Sequence, residues 1–192
     1  MRDLERDPTV GIVFDIGAHV GGEQRPERAV KQSLTKEEVG RLLAAAQLES
    51  PDVRAMIVVQ VATGMRFCEV SALQWDDIDT NNATLTISRS QVEGVCGPPK
   101  TESTRRAVYL APSVVEVLLC HRAEQERHPG ACKIAGLVFP SKAGTYRTPS
   151  LLTKPLRRCC KIAGIDKHLS SHSLRRTTND LLRRTSGDVV VR

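Results

Sequence analysis

The feature that most limits the fold is a change of hydrophobic period in the middle of the chain. Thr84-Leu85-Thr86-Ile87-Ser88 and Arg106-Ala107-Val108-Tyr109-Leu110 alternate as half-buried strands do. Gly94, Gly97, Pro98 and Pro99 lie between them. The two runs should therefore pair antiparallel around a turn-rich tip, with Lys100 directly after it. On both sides of this insert the spacing is helical, which predicts an α+β domain, mainly α, with a small antiparallel sheet.

The helices carry their own punctuation. Thr35-Lys36-Glu37-Glu38 has the form of a capping box, so a helix should run to about Gln47 with Val39, Leu42, Leu43 and Ala46 on its apolar face. Ser50-Pro51-Asp52 opens a second, which should reach Thr63 and stop at Gly64. A short helix over roughly 66–73 follows. Pro112 should start another that ends near Arg127, Leu137-Val138-Phe139-Pro140 reads as extended, and a helix from Thr148-Pro149 should close at Gly164. The last helix contains His172 and should end near Gly187. Trp75 is expected in the core.

The 192 residues suffice for one good core, and a 40% apolar content with few aromatics suits a helix-rich globule. Charge is unevenly spread. Residues 1–99 hold 10 basic and 15 acidic side chains, whereas residues 100–192 hold 18 basic and 7 acidic. That asymmetry points to a polyanion partner for the second half, most simply nucleic acid. No apolar run approaches a membrane span. Six cysteines without a Cys-x-x-Cys pair read as reduced intracellular thiols, and Cys120, His121, His128 and Cys132 match no zinc spacing, so no metal is expected.

Two short stretches carry chemistry. In Ser171-His172-Ser173-Leu174-Arg175-Arg176-Thr177, His172 and Arg175 are three residues apart and share one helical face. Such a pair suits a phosphate, because a guanidinium is permanently charged and forks onto two oxygens. In Thr63-Gly64-Met65-Arg66-Phe67-Cys68-Glu69, Gly64 can end one helix and leave Arg66 at the start of the next. A helix start favours anions, and Glu69, one turn on, can hold Arg66 in place.

Taken together with Leu73-x-Trp75-x-Asp77-Ile78 and with Pro99-Lys100-Thr101 ahead of Arg105-Arg106, these motifs resemble the tyrosine recombinase (phage integrase) family over roughly residues 34–191. The resemblance implies its catalytic-domain fold and site-specific DNA recombination or integration through a phosphotyrosine intermediate. It makes Arg66 and Arg175 the clamp on a scissile DNA phosphate and Lys100 the general acid for the leaving 5′ oxygen. His172 becomes the group that supports proton transfer, and Glu69 the supporting carboxylate. Two fixed guanidiniums suit phosphoryl transfer, which spreads charge over the equatorial oxygens. No cofactor is implied. Double-stranded DNA and other recombinase protomers are the implied partners, in a bacterial or phage-derived, cytoplasmic and nucleoid-associated setting. Arg105, Arg106, Arg147, Arg157, Arg158 and Arg176, with Lys154, Lys161, Arg183 and Arg184, become candidate DNA contacts.

The sequence departs from the family pattern in two places. Seventeen residues follow Arg175, and none is the tyrosine or the Leu-Gly-His expected there. Tyr109 and Tyr146 precede His172 and do not hold the nucleophile's position. Residues 1–32 are too few for the helical domain that closes the family's clamp. They are expected to be a linker or remnant, and residues 33–192 a catalytic domain truncated at its C-terminus. On this reading the chain alone is inactive, or serves as a non-catalytic DNA-binding remnant that modulates an intact recombinase.

Overall fold

The computed structural model describes residues 33–97, 105–128 and 133–186. Six helices are present among them: α1 (Lys36–Ala46), α2 (Pro51–Thr63), α3 (Phe67–Ser71), α4 (Pro112–Arg127), α5 (Thr153–Ile162) and α6 (Ser171–Ser186). The centre is α2. Its run Ala55–Val61 is buried on every side, and it packs against α1, α3, α4 and α6. Gln60 is the one polar residue in that run, and a helix with no polar face belongs in the interior. Pro51 sits in its first turn, and Gly64 ends it at φ +62°.

Around α2 the predicted boundaries hold closely. Thr35 and Glu38 form the reciprocal capping box: Thr35 N donates to Glu38 Oε2 at 2.7 Å, and Glu38 N donates to Thr35 Oγ1 at 3.2 Å. Lys167 Nζ reaches the same Glu38 oxygen at 2.6 Å, tying the loop before α6 to the start of α1. The run 66–73 is helical only over Phe67–Ser71, because Leu73 leaves the helix to accept a hydrogen bond from Val138 N at 2.9 Å. The segment from Thr148 begins as a 3-10 turn over Pro149–Leu152 before α5 proper.

Strands β1 (Ile78–Asp79), β2 (Thr84–Ile87) and β5 (Arg106–Tyr109) form a three-stranded antiparallel sheet in the order β1-β2-β5. Leu85 pairs with Val108 and Ile87 with Arg106. Leu85 and Ile87 point into the core.

The turn-rich tip holds more order than its composition suggested. Residues 90–97 form a second antiparallel pair, β3 (Ser90–Val92) with β4 (Val95–Gly97). Glu93 and Gly94, at φ 52° and 82°, make the two-residue turn. Positive φ at both turn positions matches the twist of paired strands. Strand β3 lies on α3, where Gln91 Nε2 donates to Ser71 Oγ at 3.3 Å.

The extended piece at Leu137 bridges to Gln74, and its neighbours Val138 and Phe139 are fully buried. Trp75 is half-buried against the core. Its Nε1 donates to Gln125 Oε1 at 2.9 Å, and the Arg122 guanidinium lies 5.3 Å from the ring centre. His121, weighed with three neighbours as a zinc ligand, stacks on Phe139 with its Nε2 2.7 Å from Val138 O. No described helix is long and apolar enough to cross a membrane.

Candidate functional site

The site is built where α2 ends. Gly64 turns the chain, Met65 is buried, and Arg66 becomes the N-cap of α3. Glu69, on the first turn of α3, points inward with only 2% of its side chain exposed. A buried carboxylate must be compensated. Here Arg66 NH1 donates to Oε1 at 3.0 Å, while Arg66 N and Arg106 NH2 donate to Oε2 at 2.9 and 3.2 Å. Arg175 NH1 stands 4.0 Å from Oε2. Residues from α3, β5 and α6 thus meet on one carboxylate.

Arg175 is held by the backbone. Its NH1 donates to the carbonyl oxygen of Gly64. Helix α6 is fastened to α2 by two further bonds, from Thr178 Oγ1 to Val61 O at 2.8 Å and from Gln60 Nε2 to Ser171 Oγ at 2.5 Å. These sit on either side of Arg175 and fix the height at which its guanidinium enters the cluster.

Three guanidiniums around one carboxylate leave a net positive charge, which is the electrostatic form of an anion site. Burial pushes the Glu69 carboxyl up, but the Arg66 backbone N–H, the Arg106 charge and the Arg66 side chain together hold it below the usual carboxylate range. Burial also lowers the pKa of Arg175, the nearby Arg66 charge lowers it further, and Glu69 offsets only part. An anion placed between Arg66 and Arg175 would relieve that crowding. Arg66 is half exposed, so the cluster opens to solvent on its side.

The other candidates fall into several environments. His172 is exposed in the first turn of α6, three residues ahead of Arg175. Lys100 lies outside the described residues, between the ends of β4 and β5. Arg105 is exposed just before β5, and Arg176 is half-buried next to Arg175. Arg157, Lys154 and Lys161 are exposed on α5, and Arg183 and Arg184 on the last turns of α6. Arg158 forks onto Glu49, with Nε at 2.8 Å from Oε1, beyond the opposite end of α2 from Gly64. Arg147 is the most enclosed. It pairs with Asp52 at 2.5 Å, and its Nε donates to Pro140 O at 2.8 Å.

Sequence reasoning did not find the role of Arg106, which stood only among the basic candidates. Nothing local signals that a strand residue 37 positions away shares the Glu69 carboxylate. Its alternation in β5, with Arg106 and Val108 on the inner face and Tyr109 outward, was the available hint.

A mainly helical domain with a small antiparallel sheet is the catalytic-domain fold that the motifs resembled. The model of the phage integrase family matches residues 32–191, and the chain belongs to that family. It is 25% identical over 183 residues to the tyrosine recombinase XerC of Alcanivorax borkumensis, covering 92% of this chain and 53% of that protein. It is 28% identical over 141 residues to the integrase of Staphylococcus phage L54a, covering 68% and 40%. Among solved structures, the XerH site-specific recombinase bound to difH substrate, a pre-cleavage complex, is 26% identical with a TM-score of 0.65. That match covers 85% of this chain and 46% of XerH. The chain thus spans about half or less of the length of these relatives.

Proposed function

We propose that this chain is the phosphate-gripping domain of a site-specific DNA recombinase that acts in integration or a related exchange. The observation that carries the reading is the convergence of Arg66 and Arg175 beside Glu69, from elements 111 positions apart at Gly64 and Arg175. One phosphodiester between them would present its two non-bridging oxygens to two guanidiniums held at fixed height. As the attacking oxygen adds, charge grows on those equatorial oxygens, and pre-set donors stabilise it without reorganisation. His172, exposed one turn before Arg175, supports proton movement at the same phosphate. Lys100, outside the described residues, is the group that the resemblance assigns to protonate the leaving 5′ oxygen. The Tn1549 transposon integrase was captured in complex with a circular intermediate DNA, and duplex DNA is the partner carried over to this chain, with further recombinase protomers completing the assembly. The setting that follows is the bacterial cytoplasm, at the nucleoid.

Tyr109 lies on the opposite face of β5 from Arg106, and Tyr146 adjoins the enclosed Arg147. On this reading neither tyrosine is the nucleophile, and these 192 residues bind DNA without joining to it. The same arginine cluster also suits a second role, as a DNA-binding element that alters assembly of an intact recombinase.

Fluorescence anisotropy with a labelled duplex tests the reading. Binding should weaken steeply with salt, and Arg66→Ala or Arg175→Lys should each weaken it by about tenfold. Salt-independent or absent binding would overturn it. A covalent protein–DNA adduct on a nicked duplex would refute the claim that neither tyrosine is the nucleophile.

A further inference from the structure

We infer that Arg106 is a positioning residue, which keeps Arg175 available to a phosphate by occupying the Glu69 oxygen that Arg175 would otherwise take. The inference rests on the phosphate-clamp reading and adds a component to it. Arg66 N and Arg106 NH2 both donate to Glu69 Oε2, at 2.9 and 3.2 Å, and these two donors use its lone-pair directions. Arg175 NH1, at 4.0 Å from the same oxygen, is outside hydrogen-bonding distance and donates to Gly64 O instead. That bond to Gly64 is its only hydrogen bond among the described residues.

Without the Arg106 donor, an acceptor direction on a nearly fully buried carboxylate would stand open. The nearest cation able to fill it is Arg175, which needs to move by only about 1 Å to make a normal charge-assisted bond. Once paired in that way, Arg175 would have its charge compensated inside the protein and would offer less to a DNA phosphate. Arg106 thus sets a spacing: Glu69 anchors Arg66 and Arg106 and stays near enough to offset the Arg175 charge, yet does not consume it. Strand β5, which carries Arg106, begins just beyond the segment that holds Lys100. Docking of that strand and readiness of the clamp are consequently linked through one side chain.

A double-mutant cycle on duplex affinity separates this role from direct contact with DNA. Arg106→Ala should weaken binding by about tenfold in the otherwise unchanged protein, and by less than about threefold where Glu69→Gln has already removed the attracting carboxylate. Equal losses in both backgrounds would mean that Arg106 touches DNA itself, and would overturn the proposal.

A second measurement needs neither DNA nor the Glu69 variant to be stable. In ¹⁵N spectra of the DNA-free protein, the Arg175 side-chain signal, assigned by its disappearance in Arg175→Lys, should shift on Arg106→Ala as the guanidinium engages Glu69. An unmoved signal in a folded Arg106→Ala protein would sink the idea. Failure of the unchanged protein to bind DNA would instead count against the clamp reading alone.

Discussion

Gly64 and Thr178 meet where α6 crosses the end of α2: a methyl group added at Gly64 would stand 3.3 Å from Thr178 Cγ2. The same glycine has φ +62°, a backbone conformation that side chains disfavour. Its carbonyl receives Arg175. One residue therefore ends a helix, admits a neighbouring helix and anchors the Arg175 guanidinium. Gly64→Ala should cost about 1–3 kcal/mol of stability, read by denaturant titration, from the strained φ and the close contact together. Adding Thr178→Ser, which removes the methyl but keeps a hydroxyl for Val61 O, should restore part of the loss. No recovery would show that backbone strain alone sets the penalty.

Glu69→Gln should destabilise the fold by about 3 kcal/mol near neutral pH, since three guanidiniums would then share no buried counter-charge. The effect depends on pH in a definite direction. The Glu69 pKa in the fold lies below its ordinary 4.5. Its ionised form thus contributes stability that is fully present above about pH 4.5 and is lost as pH falls through the folded value. Denaturant titrations of both proteins between pH 7 and pH 3 should show the gap between them narrowing on the acid side. A constant gap would mean that the carboxylate charge contributes nothing.

Arg147→Met should lower stability by about 2 kcal/mol while leaving the salt dependence of DNA binding unchanged. Its side chain is only 12% exposed, and the guanidinium is held by Asp52 and Pro140 O. Removing it strands a half-buried carboxylate and an acceptor. A guanidinium that touched a phosphate would instead contribute about one unit to the log–log salt slope. A shallower slope in Arg147→Met would return this residue to the DNA-contacting surface.

These cases show how far local signals reach. The capping box at Thr35 and Glu38, the helix stop at Gly64 and the alternation in β2 and β5 are properties of neighbouring residues, and they formed where the pattern predicted. The β3–β4 hairpin did not stand out because its strands are three residues long and half exposed, so neither shows a clear period. The exit of Leu73 from its helix depends on a partner 65 positions away, Val138 N, and no local rule could report it.

The sequence by itself determined most helix boundaries, the alternation of the two strand runs, the basic excess of the second half and the local spacing of Arg66 with Glu69 and of His172 with Arg175. Apart from the charge excess, which is a sum over many residues, each of these follows from residues close together in sequence, where geometry is set by the backbone alone. Only the tertiary structure decided which guanidiniums share Glu69, which basic side chains are occupied elsewhere, and that Arg175 is spaced from the carboxylate by 4.0 Å and held by Gly64. Those outcomes depend on how α2, β5 and α6 pack. A few ångströms of packing decide whether a charge is paired within the protein or left for a ligand, because electrostatic and hydrogen-bond energies change steeply over that distance.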